Sequence, residues 1–88
     1  IDLGIAAAIL SSFRNRPLKN DTAFIGELGL GGEVRPVSNM ISRLKELSRL
    51  GFKECIVPKP NKTADWFSDY GIRLITCQRV AEMQNILW

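Results

Sequence analysis

The chain has no histidine, and its 88 residues include only two cysteines, one tyrosine and four prolines. The missing imidazole removes the commonest general base. With no Cys-x-x-Cys pair either, the usual zinc ligand sets are absent, so no metal-binding residues are assigned. Cys55 and Cys77 both fall in apolar, strand-like surroundings, which points to buried free thiols rather than a disulfide and fits a reducing compartment. Long hydrophobic runs are lacking: the longest, Gly4 to Leu10, is far below the ~20 residues that span a bilayer. Charge of one sign is scarce as well. Twelve Lys and Arg stand against nine Asp and Glu, and the net +3 is interleaved along the chain, which permits nucleic-acid contact without requiring it. The chain opens without Met, on residues that already look like a buried helix. It therefore reads as one small domain, residues 1–88, from a longer protein, with covering strands expected upstream of Ile1.

What is present is an alternation of helical and extended patterns. Ile1 to Leu10 is apolar nearly all round, which predicts a central helix buried on most sides, running through Ser11-Ser12-Phe13-Arg14 and broken at Asn15-Arg16-Pro17. Ala23 to Glu27 is an apolar β-type run, the glycines between Gly29 and Gly32 mark a reversal, Val34 begins a return strand, and Pro36 ends it for want of an N–H. A phosphate-cradling loop would lead into a helix and carry a Lys followed by Ser or Thr. Here Glu33 and a strand follow, so a hairpin is the reading. A second helix is capped by Ser38 or Asn39, carries Ile41, Leu44, Leu47 and Leu50 on one face, and ends at Gly51. Cys55-Ile56-Val57 is a buried strand closed by Pro58. Asn61 or Thr63 would cap a short helix through Asp65, Trp66 and Phe67, and Ile72 to Thr76 is a further strand. Thr76 or Cys77 leads into a last helix with Val80, Met83 and Leu87 on one face. The class is α/β (α+β), with part of the sheet crossing over through helices.

Several phrases carry a resemblance. They are Asp2-Leu3-Gly4-Ile5-Ala6-Ala7-Ala8, Ser11 to Leu18, Gly26-Glu27-Leu28-Gly29-Leu30-Gly31-Gly32-Glu33-Val34-Arg35-Pro36-Val37, Arg43-Leu44-Lys45-Glu46, and Leu50 to Lys53 with Val57-Pro58-Lys59. Together they resemble the C-terminal Lon-protease-like domain of the RadA (Sms) DNA-repair family. Lon proteases and the ComM and magnesium-chelatase-like proteins share the Gly-Glu and Gly-x-Val-x-Pro framework, but Ser11 to Leu18 is more similar to RadA. The resemblance implies a Lon proteolytic-domain-like, ribosomal protein S5 domain 2-like fold, incomplete at its N-terminal side. It also implies a hexameric ring and a parent ATPase acting in recombinational repair and branch migration. ATP, Mg and Zn would be held by other domains, and no cofactor by this chain. The location implied is the bacterial cytoplasm, or a plastid or mitochondrion in a plant.

Aligned on Gly4 and Pro36, the Lon nucleophile would fall at Asp2 and the Lon lysine at Ile41. Neither a carboxylate nor a branched hydrocarbon can replace the Ser/Lys dyad, so no catalytic residue is assigned. Ser11 and Ser12 are expected to serve the helix end instead. What the resemblance then implies is DNA contact through basic residues. The candidates are Arg14 and Arg16, with Lys19, on an exposed turn; Arg43, Lys45, Arg49 and Lys53 along the second helix and its exit; and Lys59, with Lys62, beside the prolines. The plain alternative is a solvated helix face, its charge partly offset by Glu46 and Glu54. Trp66, Phe67 and Trp88 read as core or subunit-interface packing rather than as base-stacking residues. The rival functions are an active Lon-type Ser/Lys peptidase and a ComM or magnesium-chelatase-like accessory domain.

Overall fold

A computed structural model describes Ile1–Trp88. Five strands and three helices follow in order: α1 (Leu3–Arg14), β1 (Thr22–Phe24), β2 (Glu27–Leu28), β3 (Val34–Arg35), α2 (Met40–Arg49), β4 (Glu54–Pro58), β5 (Arg73–Cys77) and α3 (Met83–Leu87), the last entered through a 3₁₀ turn, Val80–Glu82. Strands β1, β4 and β5 form a parallel sheet in the order β1-β4-β5, and β2 and β3 pair as an antiparallel hairpin. The α/β class is thus observed, and the connection from β1 to β4 crosses over through α2 while that from β4 to β5 does not.

Strand alternation explains the layering. The register aligns Ala23, Cys55 and Leu74 in one row and Phe24, Ile56 and Ile75 in the next. The first row faces a cluster with Met40 and Leu44 of α2, Trp66 and Ile72; the second faces a cluster with Leu3 and Ala7 of α1 and Met83 of α3. Helices therefore cover both sides of a three-stranded sheet. Cys55 and Cys77 are free and fully buried, each in a different cluster. Burial pushes the Cys55 thiol up to about 12 and the Cys77 thiol up to about 11.

The expected run Ala23–Glu27 is two strands rather than one. Ile25 still donates its N–H to the Ile56 carbonyl, 3.0 Å, but the chain then leaves the sheet at Gly26 and turns into the hairpin. Gly26 is there for lack of room: a Cβ would stand 3.0 Å from Val34 Cγ1 and 3.3 Å from Leu3 Cδ2.

Helix α2 departs from expectation at its start. Neither Ser38 nor Asn39 caps it through a side chain; Asn39 instead takes a left-handed conformation, φ 62°. Its buried face is centred on Met40 and Leu44, leaving Ile41 at the border of exposure and Leu50 58% exposed. The exit is as the sequence requires. Gly51 has φ 90°, its N–H donates to the Ser48 carbonyl, and the Phe52 N–H reaches the Leu47 carbonyl, a Schellman closure. Helix α1 ends likewise on Asn15, φ 53°, with Asn15 and Arg16 N–H groups donating to the Ser12 and Ser11 carbonyls.

Three further expectations are corrected. Helix α1 is not buried on most sides: Leu3 and Ala7 are covered, whereas Ile5, Ile9 and Phe13 are 55%, 58% and 88% exposed, because this chain supplies packing partners to one side only. Residues 61–67 form turns rather than a helix. The Asn61 carboxamide oxygen accepts from the Thr63 N–H and hydroxyl, spending the expected cap on a local turn, while Trp66 enters the core and its carbonyl accepts from the Tyr70 hydroxyl, 2.7 Å. Thr76 and Cys77 belong to β5, and the final helical segment begins at Val80, where Glu82 Oε1 accepts from the Gln78 and Arg79 N–H groups. No helix is long and apolar enough to cross a membrane.

Candidate nucleic-acid interface

The two positions that the Lon resemblance would align with a peptidase dyad, Asp2 and Ile41, have plain structural surroundings. Asp2 is the N-cap of α1: its Oδ1 accepts from the Gly4 N–H at 2.8 Å and the Ile5 N–H at 3.1 Å, satisfying donors that the first helical turn leaves free. Ile41 lies on the first turn of α2. Ser11 donates its hydroxyl to the Arg16 carbonyl, and with the Ser12 carbonyl it closes the helix end.

The basic candidates differ in how far they are already engaged. Arg14 donates to Gln84 Oε1 at 2.6 Å, tying α1 to α3, and the Arg16 guanidinium stands over the Trp88 ring, 5.8 Å from its centroid. Trp88 in turn donates its indole N–H to the Pro17 carbonyl. Arg43 Nε donates to the Ser38 carbonyl, bracing the entry to α2. Arg49 forks onto both oxygens of Glu46, which holds that carboxyl below its usual range. Lys53 lies 4.0 Å from Asp21, and Lys19 and Arg73 lie 4.0 Å from Glu54, which also accepts the Thr22 hydroxyl.

Basic residues outside the candidate set prove equally committed. Arg35 pairs with Glu33 at 2.8 Å, lowering the Glu33 pKa, while Glu33 Oε1 accepts the Gly31 N–H across the hairpin turn. Arg79 donates to the Gly31 carbonyl and so locks the hairpin to the end of β5. Nothing in the spacing of Gly31 and Arg79 marks this contact, since 48 residues separate them.

What remains is Lys45, Lys59 and Lys62: of the twelve cations, these three have neither an ion-pair nor a hydrogen-bond partner nor an aromatic ring beneath them. A groove of about 590 Å³ runs between the start of α2 and the turns after β4, with Lys45 on its wall together with Ser42, Asn61, Thr63 and Asp65. Lys62 sits between the lining residues Asn61 and Thr63, and Lys59 directly follows β4. Lys45 and Lys59, distant in sequence, thus belong to neighbouring elements, whereas Arg14 and Arg16 sit at the other helix layer. Trp66 is core, as its apolar setting suggests, with Phe67 edge-on to it at 5.7 Å.

A family model described as "Subunit ChlI of Mg-chelatase" matches residues 1–61. The chain is 42% identical over 87 residues to the DNA repair protein RadA of Pseudomonas aeruginosa, covering 99% of this chain and 19% of that protein. It is 48% identical over 82 residues to RadA of Bacillus subtilis, covering 93% and 18%, and 44% identical over 80 residues to RadA of Synechocystis, covering 91% and 15%. The chain therefore spans less than a fifth of the length of these relatives. By these matches it belongs to the RadA family, and over residues 1–61 to the set of sequences that the ChlI model describes.

Proposed function

We propose that residues 1–88 form the Lon-like, ribosomal protein S5 domain 2-like part of a RadA-type protein acting in DNA repair, serving as a non-proteolytic scaffold that organises a hexameric ring and touches DNA. The observation that carries this reading is the match along nearly the whole chain to proteins named DNA repair protein RadA. Two features support the loss of proteolysis: the Asp2 carboxylate is occupied in capping α1, and Ile41 has no proton-accepting atom. The parent would be a DNA-dependent ATPase of the bacterial cytoplasm, or of a plant plastid or mitochondrion, with ATP, Mg and Zn held elsewhere in it. A ring multiplies weak contacts, so Arg14, Arg16, Arg43, Lys45, Arg49, Lys53 and Lys59 together would give salt-sensitive duplex binding that one subunit alone would show only feebly.

Full-length protein tests this directly. Sedimentation should show concentration-dependent assembly, and duplex retention should fall steeply with added salt; a monomer that holds no duplex at low salt defeats the reading. Peptide products from an unfolded substrate would restore the Lon-type peptidase alternative. The ChlI match favours one further reading, a ComM or magnesium-chelatase-like accessory domain. An AAA-type ATPase downstream would mark it, whereas a zinc finger and RecA-type ATPase upstream mark a RadA parent.

A further inference from the structure

We infer that residues 78–88 form a releasable strap, which lifts as one unit from a folded remainder, frees one edge of the β2–β3 hairpin and uncovers Cys77. Gln78 is the first residue past the sheet, because β5 makes its last pairing at Cys77, opposite Pro58. Of the residues from there to Trp88 only Met83 is buried. Helix α3 has five residues, and isolated helices shorter than about 12 residues do not hold their shape in water, so the strap depends on what it is fastened to.

Its polar fastenings fall into two groups. Toward the hairpin, the Val34 N–H donates to the Gln78 carbonyl at 2.9 Å, the Val80 N–H to the Gly32 carbonyl at 2.8 Å, and the Arg79 guanidinium to the Gly31 carbonyl. Toward the exit of α1, Arg14 donates to Gln84 Oε1 at 2.6 Å, the Trp88 indole donates to the Pro17 carbonyl at 3.2 Å, and Arg16 stands over the Trp88 ring. The side-chain bonds among these are exposed, so water competes for each of them. Contacts within the strap travel with it: Glu82 Oε1 accepts from the Gln78 and Arg79 N–H groups, and the Glu82 N–H donates to the Arg79 carbonyl. That closed turn makes the three hairpin fastenings part together. The far edge of the hairpin stays held, since Leu28 N–H donates to the Ile1 carbonyl and Leu3 N–H to the Gly26 carbonyl. Cys77 lies directly under the strap, its Sγ 3.2 Å from the Arg79 carbonyl and in one cluster with Met83. Cys55 sits instead in β4, which is paired along both edges and is reached only by dismantling the sheet.

The test uses full-length protein, with the two thiols as reporters. Iodoacetamide labelling, resolved by peptide mass spectrometry, should modify Cys77 faster than Cys55 by about tenfold or more in dilute buffer. Cys77 labelling should be nearly flat in low urea, because lifting the strap exposes little surface. Cys55 labelling should climb steeply from the start, and the two rates should merge near the unfolding midpoint. In deuterium exchange the Val34 and Val80 amides should share one opening free energy, below that of the Leu3 and Leu28 amides. A short bis-maleimide tether joining Arg14→Cys to Gln84→Cys should slow Cys77 labelling to the rate of Cys55. Equal rates and equal urea slopes for the two thiols would overturn the inference, as would separate opening energies for Val34 and Val80 or Cys77 labelling that the tether leaves unchanged.

Discussion

Asp2 shows how much of a helix start can rest on a single side chain. Its carboxylate closes two free N–H groups of α1, so Asp2→Ala should cost about 1 kcal/mol in urea unfolding, while Asp2→Ser should be nearly neutral, serine being an equally good cap. The second substitution places a hydroxyl at the position that the Lon resemblance aligns with a nucleophile, and with Ile41 unchanged it should yield no peptide cleavage. Cys55 and Cys77 illustrate burial acting on an ionisable group. Unfolded, each thiol ionises near its ordinary value of 9.0, but folded only near about 12 and about 11. Above pH 9 the unfolded chain holds fewer protons than the folded one, so the thiol contribution is intact below pH 9 and is lost as pH climbs towards 11–12. Melting temperature should accordingly fall more steeply from pH 9 to 11 in the natural chain than in Cys55→Ala/Cys77→Ala.

Helix α2 separates what periodicity reveals from what packing decides. The three-residue spacing of Ile41, Leu44, Leu47 and Leu50 locates the helix but misjudges which edge of its apolar arc meets the sheet, because Met40 takes the inner position and Ile41 rides at the rim. Leu44→Ala should therefore destabilise by about 2–5 kcal/mol, and Ile41→Ala by far less, as chemical denaturation of the pair would resolve. Gly51 was legible for a local reason: only a residue free of a Cβ sits easily at φ 90°, and Gly51→Ala should cost about 1 kcal/mol. The strand Cys55–Val57 and the glycine hairpin were legible for equally local reasons. The split of Ala23–Glu27 was not, since it depends on Ile25 pairing with Ile56, 31 residues on. Nor was the turn at 61–67, where Asn61 serves Thr63 and Trp66 is drawn inward. The candidate lysines were visible as charges, but their freedom from partners was not: it depends on where Glu46, Glu54 and Asp21 come to lie.

Taken whole, the molecule is asymmetric in how its layers are finished. One side of the sheet is closed by α2 and Trp66, while on the other Ile1, just before α1, and Ile5, Ile9 and Phe13 of α1 stay outward at four-residue intervals. Between the two sides runs β4, paired along both of its edges and buried at Cys55, Ile56, Val57 and Pro58. No partial opening that frees either outer strand exposes that central ribbon completely, so its amides cannot meet solvent until both hydrophobic clusters have come apart. In deuterium uptake the backbone of Cys55 to Val57 should lag behind every other segment, and its protection should report the free energy of global unfolding rather than of any local fluctuation.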